Sequence, residues 1–193
     1  MPLGDYEWAE KYGWLTDKYG VSWQFWLGKF EDVGQRLTAY LTFAGQQQGR
    51  AEEAINFYEN IFKDARSESI VYYKSGDDAN LTGKVKHAQM IFNGQRFMLM
   101  DSPEPLGFQF TEGVSLTVYC ETQQEIDYYW EKLTQGGAES RCGWLKDKFG
   151  VSWQIIPTIL SKIMSNPEKA GKAAQAFMQM QKFDIEKIVQ ASI

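Results

Sequence analysis

The sequence predicts an α+β fold, with two βαβββ units in series followed by a helical tail. Three observations carry that prediction. Short stretches alternate apolar and polar residues with the period of a strand. Two longer stretches, 51–62 and 122–137, place apolar residues at helical spacing, each after one strand-like stretch and before three more. Finally, GWLTDKYGVSWQ at 13–24 returns as GWLKDKFGVSWQ at 143–154, with ten of twelve positions identical at an offset of 130 residues. An offset of one small domain marks equivalent ends of two domain copies. Little of the first copy precedes its end. Residues 1–35 therefore read as the terminal hairpin of a truncated first domain plus a linker, 36–160 as a complete domain, and 161–193 as a helical extension.

The elements follow in chain order. Tyr12–Asp17 leads into a turn at Asp17-Lys18-Tyr19-Gly20 and Val21–Phe25 leads out, while Asp147-Lys148-Phe149-Gly150 turns the later copy. Asp opens such a turn and Gly accepts the positive φ that closes it. Gly28–Arg36 reads as the linker. LTAYLTF (37–43) alternates as a strand, and AEEAINFYENIF puts Ala51, Ala54, Ile55, Tyr58 and Phe62 on one helical face with acidic residues in the first turn. Strands follow at 67–74, 84–92 and 96–101, the last two joined by Asn93-Gly94. The second unit begins with a strand at 113–120 and a helix at 122–137 that ends on glycines. A weak segment near Glu139 and strands around 141–146 and 151–156 complete it. Asn166-Pro167-Glu168 then starts a helix, Ala170, Ala173, Ala174, Phe177, Met178 and Met180 form an apolar stripe suited to core or dimer packing, and Asp184 caps a last helix bearing Ile185 and Ile188.

Composition excludes several classes. At 193 residues and 44% hydrophobic, the chain can bury a core without staples. No apolar run reaches the roughly 20 residues that span a bilayer, and MPLGDYEW lacks the features of a signal peptide. Cys120 and Cys142 are too few for a disulfide framework and have no metal-type spacing, so a cytoplasmic protein with reduced thiols is expected. The net charge of −5, without a basic stripe, argues against nucleic acid.

The two βαβββ units, AEEAINFYENIF, NGQRFMLMDS and the ending GWLKDKFGVSWQIIP together resemble the PhnB-like family of the vicinal-oxygen-chelate superfamily, which includes glyoxalase I, extradiol dioxygenases and bleomycin-resistance proteins. The likeness covers about 37–190 as a full domain and 2–26 as the end of another; tandem members of the family exist. Gln46–Arg50 lengthens the first strand–helix connection relative to the family pattern. The resemblance implies that the units form a strongly curved mixed sheet around a cavity, where enzymatic relatives hold a divalent metal. It also brings the label 3-demethylubiquinone-9 3-methyltransferase. The residues give that label no chemical support, because Ala44–Gly49 lacks the GxGxxG spacing of a nucleotide-type turn.

Alternation places Ala39, Leu41, Phe43, Ala88, Met90, Phe92, Val114, Leu116, Val118, Val151, Trp153 and Ile155 on the apolar parity of their strands. Tyr40, His87, Gln89, Ser115, Thr117, Ser152 and Gln154 fall on the other, where the resemblance makes them pocket lining, with Trp144 or Trp153 as apolar wall. Superfamily enzymes take His, Glu or Gln ligands from the first, fourth, fifth and eighth strands. Gln154 matches a Glu ligand of glyoxalase I. The fifth strand offers Val114 or Ser115, the first Thr38, Ala39 or Tyr40, and the fourth Met98, Leu99, Met100 or Asp101. Neutral hydroxyls and amides hold divalent ions weakly, and a single histidine excludes a His-rich centre. No metal and no other cofactor are expected. His87 is the candidate for acid–base work or a hydrogen-bonded sheet residue, and Asp101 either partners it or starts the following loop. Cys120, on the parity of Val118, reads as a buried thiol. The expectation is a homodimeric, metal-independent protein that binds a small organic molecule. The alternatives are an isomerase, dioxygenase or transferase, or a non-catalytic self-associating remnant.

Overall fold

Backbone contacts in the computed structural model divide the chain into two units, Met1–Thr38 and Ala39–Ile193. The structure describes residues 1–6, 9–103 and 109–193.

The first unit is a three-stranded antiparallel sheet in the order β1-β2-β3, with β1 at Gly4–Tyr6, β2 at Ala9–Thr16 and β3 at Ser22–Trp26. The expected hairpin is β2–β3, paired through Trp14↔Gln24, Leu15↔Trp23 and Thr16↔Ser22. Asp17 organises its turn by accepting from the backbone N–H of Tyr19 (2.8 Å) and Val21 (3.0 Å), and Gly20 closes it at φ 86°. Two elements were not anticipated. β1 is only three residues long, and one helical turn, α1 (Phe30–Val33), lies within the expected linker and ends on Gly34.

The second unit holds two modules of the same construction. The first contains β4 (Ala39–Phe43), α2 (Ala51–Ile61), β5 (Arg66–Tyr72), β6 (Val85–Phe92) and β7 (Gln95–Asp101), with strand order β4-β7-β6-β5. The second contains β8 (Ser115–Cys120), α3 (Gln123–Thr134), β9 (Ala138–Glu139), β10 (Trp144–Lys146) and β11 (Ser152–Pro157), with order β8-β11-β10-β9. In each, the first and last strands pair in parallel and the remaining pairs are antiparallel. Each module therefore builds one four-stranded mixed sheet. The fold class is the α+β one that the strand and helix periods predict.

The apolar parity of the strands is buried as expected. Leu41, Phe43, Ala88, Met90, Phe92, Leu99, Val118, Leu145, Trp153 and Ile155 join Ala54, Ile55 and Tyr58 of α2 and Ile126, Trp130 and Leu133 of α3 in one core. Aromatic rings stitch the modules together, with Trp153 5.7 Å from Tyr58 and 5.5 Å from Phe62 between centroids. Each such fully buried side chain contributes roughly 1.5–3 kcal/mol by leaving water. Val114 departs from its expected place: it precedes β8 and is exposed.

The tail forms α4 (Ile159–Met164), α5 (Pro167–Phe177) and α6 (Ile185–Ala191). Asn166 and Asp184 accept from Glu168 N and Lys187 N at the starts of α5 and α6, which satisfies N–H groups that have no partner within the helix. Backbone N–H groups of Cys142 and Gly143 donate to the carbonyls of Met180 and Gln181, both at 2.8 Å. Gly143 is required there: its φ is 79°, and a Cβ would lie 2.6 Å from the Phe183 ring. Ala173 is buried and Phe177 packs on the core, but Met178 is exposed and leaves the expected stripe incomplete. Among the described residues, no helix is long and apolar enough to cross a membrane.

Candidate functional site

Tyr40, His87, Gln89, Ser115, Thr117, Trp144, Ser152 and Gln154 lie on the strand parity opposite the buried apolar residues. In the first module, Tyr40 and Gln89 both pair with Met98, on the strands either side of it, which brings the three onto one face of the sheet. His87 lies two residues before Gln89 on the same strand and so on the same face. The Tyr40 hydroxyl and His87 Nδ1 are 3.0 Å apart, and their rings meet edge-on. Tyr40, His87 and Gln89 are each half-buried. Burial lowers the His87 pKa from its ordinary value, because the charged imidazolium loses more by desolvation than the neutral ring. In its neutral form the ring can act as donor or acceptor toward the Tyr40 hydroxyl, according to its tautomer.

In the second module, parallel pairing aligns Ser152 with Ser115 and Gln154 with Thr117, while antiparallel pairing sets Trp144 opposite Gln154 and Lys146 opposite Ser152. Gln154 Nε2 donates to Ser115 Oγ at 2.8 Å. Thr117 is exposed, Ser115, Trp144 and Gln154 are half-buried, and Ser152 is buried. Trp153 turns to the opposite face, into the core, where its indole N–H donates to Asp147 at 2.9 Å. The structure thus joins Tyr40 to His87 and Gln154 to Ser115, one pair per module.

Asp101 is engaged elsewhere. It is fully buried at the end of β7, and Oδ1 accepts from Gly49 N (2.8 Å) and Ala51 N (3.1 Å) while Oδ2 accepts from Val85 N (3.1 Å). Burial raises its pKa against the pull of those bonds. The carboxylate fastens the start of α2 to β6, and His87 bonds to Tyr40 instead. Asp147, read from sequence as a turn residue, is a second buried anchor. It accepts from Phe149 N, Val151 N, Trp153 Nε1 and Tyr58 Oη at 2.8–3.0 Å. Cys120 is buried, which pushes its thiol up to about 12 and makes it a poor nucleophile.

Sequence reasoning missed Lys146 and Glu112. Lys146 shares the parity of Trp144 and stands across from Ser152, and its Nζ pairs with Glu112 at 2.6 Å. Hairpin register, had it been extended one pair, would have found Lys146. Glu112 comes from the loop before β8 and left no such signal. Among the described residues, no three His, Cys, Asp or Glu side chains gather as a metal-holding group.

Residues 35–156 match the family described as 3-demethylubiquinone-9 3-methyltransferase. The PhnB protein of Bacillus cereus is 40% identical to this chain, and the match covers 64% of this chain and all of that one at a TM-score of 0.59. A protein of Pseudomonas aeruginosa aligns at 20% identity over 64% of this chain and 97% of its own, with a TM-score of 0.55. The fosfomycin resistance protein FosX of Listeria monocytogenes aligns at 14% identity over 67% of this chain and 96% of its own, with a TM-score of 0.47. No curated protein matches the sequence.

Proposed function

The chain belongs to the 3-demethylubiquinone-9 3-methyltransferase family, PhnB-like members of the vicinal-oxygen-chelate superfamily, and on that premise we propose that it binds a small organic molecule against the polar faces of its two sheets, without a glyoxalase-type metal centre. One observation carries the reading. Both modules place hydrogen-bonding side chains on the strand parity opposite the buried apolar residues, half-buried and already linked in pairs, Tyr40 with His87 and Gln154 with Ser115. Half-buried polar pairs on a scaffold whose core lies on the other side suit recognition of a ligand with mixed polar and apolar surface. The donor set supports the metal-free part. The neighbours of Gln154 across the register are Trp144 and Thr117, and its amide is bonded to Ser115, so neutral groups stand where a divalent ion needs carboxylate or imidazole. These residues do not fit such an ion.

We take a second copy of the chain as the protein partner, supported by the exposed Phe25, Trp26 and Leu27. A reducing, cytoplasmic setting fits the two free thiols. Native mass spectrometry of the purified protein tests the reading: a retained small molecule is expected, with retention lost in Gln154→Ala. A bare polypeptide mass under all gentle conditions would sink it.

The family's name supplies the competing reading, an enzyme of transferase type with His87 as its acid–base group. Turnover of a demethylated quinol with S-adenosylmethionine, abolished by His87→Gln, would favour that reading over binding alone.

A further inference from the structure

Strand β3 ends its sheet on an open edge. Asp17 N donates to Val21 O (2.9 Å) and Leu27 N donates to Lys11 O (3.0 Å), so the odd-numbered residues from 21 to 27 turn their backbone groups toward β2. The period of two then turns the N–H and C=O of Ser22 and Gln24 away from it. Among the described residues, no strand pairs with that outer edge. The second copy shows the same edge filled: Ser152 and Gln154, the counterparts of Ser22 and Gln24, lie in parallel register with Ser115 and Thr117 of β8. The side chains repeat the contrast. Val21 and Phe25 are 40% and 49% exposed, while their counterparts Val151 and Ile155 are 4% and 0% exposed. Proteins commonly guard such an edge with a charge, a proline or a bulge. Ser22–Trp26 carries no charge and no proline, and its register with β2 is unbroken.

The edge is also complementary to itself. An antiparallel pairing centred on Gln24 sets Trp23 across from Phe25 of the second copy and Val21 across from its Leu27, so apolar side chains meet on one face. Trp23 and Phe25 already stack within one chain, at 6.4 Å between centroids, and Leu27 is exposed. At the centre, each Gln24 N–H donates to the Gln24 carbonyl of the other copy. A two-fold axis through that point closes the assembly at two chains. We propose that β3 pairs with β3 of a second copy, antiparallel about Gln24, and joins the two first-unit sheets into one. The proposal rests on the second copy taken above as the protein partner and names the surface that receives it.

Light scattering over a dilution series, applied to the unchanged chain and to Gln24→Pro, tests the pairing. Proline removes the N–H at the axis and leaves the β2–β3 backbone bonds in place, because Gln24 turns its backbone outward. The unchanged chain is expected at the mass of two copies, and Gln24→Pro is expected to associate about a hundredfold more weakly. The indole resonances of Trp14 and Trp23, bonded to Ser22 and Asp17 within the hairpin, report whether the variant keeps its fold. If it does not, Gln24→Cys decides. Mild oxidation should link two chains through position 24, while Lys18→Cys, in the turn, and the unchanged chain should run as single chains on a denaturing gel. Association unchanged in a folded Gln24→Pro, or no link in Gln24→Cys, overturns the edge pairing and leaves the second copy to another surface. A single-chain mass for the unchanged protein at every concentration removes the second copy and the pairing together.

Discussion

Residues 13–24 and 143–154 fold into the same hairpin and differ in what lies over it. In both, the aspartate accepts from the N–H two and four residues on and from the indole six residues on, with matching distances of 2.8–3.0 Å. Only Asp147 also receives the hydroxyl of Tyr58, from helix α2. Tyr19 is 80% exposed, while its counterpart Phe149, without a hydroxyl to satisfy, is 1% exposed. The pKa values of the two carboxylates are consequently shifted in opposite directions. The Trp23 hydrogen bond, helped by backbone N–H groups, lowers the Asp17 pKa, whereas burial raises that of Asp147 against the same kind of bonds. Local sequence sets the bonding pattern, and the covering helix and rings set its energetics.

The largest expected effect comes from removing the aspartate in each copy. Asp147→Ala strands four buried donors and should cost about 4 kcal/mol or prevent folding. Asp17→Ala should leave the main denaturation midpoint in place. Equal losses in the two variants, read by chemical denaturation, would erase the distinction. Tyr58→Phe isolates the one bond that the first copy lacks and should cost about 2 kcal/mol, as expected for a hydrogen bond to a buried carboxylate.

The pH dependence sharpens the comparison further. Asp147 has a folded pKa above its unfolded value, so folding favours its protonated form. Its contribution is full below the ordinary carboxylate range and is lost as pH rises through the raised value. Asp17 has the opposite sign: its contribution is present above the ordinary range and is lost as pH falls through the lowered value. Across the acidic range, Asp147→Asn should therefore flatten a fall in stability of the main transition, and Asp17→Asn should flatten a rise seen only in the local stability of the first hairpin. The smallest effect concerns the first hairpin as a whole. Deleting residues 1–30 should shift the oligomeric state seen by light scattering, and an unchanged species would rule out a role for its exposed apolar residues in self-association.

Much of this architecture was legible because period and parity are local. Ala88, Met90 and Phe92 are buried while His87 and Gln89 face away, as alternation requires. Asp17 and Asp147 announced their turns through a glycine three residues on. What stayed hidden was long-range. Tyr58 lies 89 residues from Asp147, and nothing near either residue signals the bond. From its place at a strand end, Asp101 could be read either as a partner for His87 or as the start of the following loop. Its actual partners include Gly49 and Ala51, at the end of the β4–α2 connection and the start of α2. Alternation placed Ser152 on the polar face but could not show that it is buried. The candidate site was thus readable as two faces, and its pairings were not.

Amide hydrogen exchange, with and without a small molecule that native mass spectrometry finds on the protein, puts the difference between the two copies to work. Protection should appear in β6, β8, β10 and β11, which carry His87, Ser115, Trp144 and Gln154, and β2–β3 should exchange unchanged despite ten shared side chains in twelve. Protection of the first hairpin with none in the second module would contradict the proposal that the modules of the second unit bind the ligand.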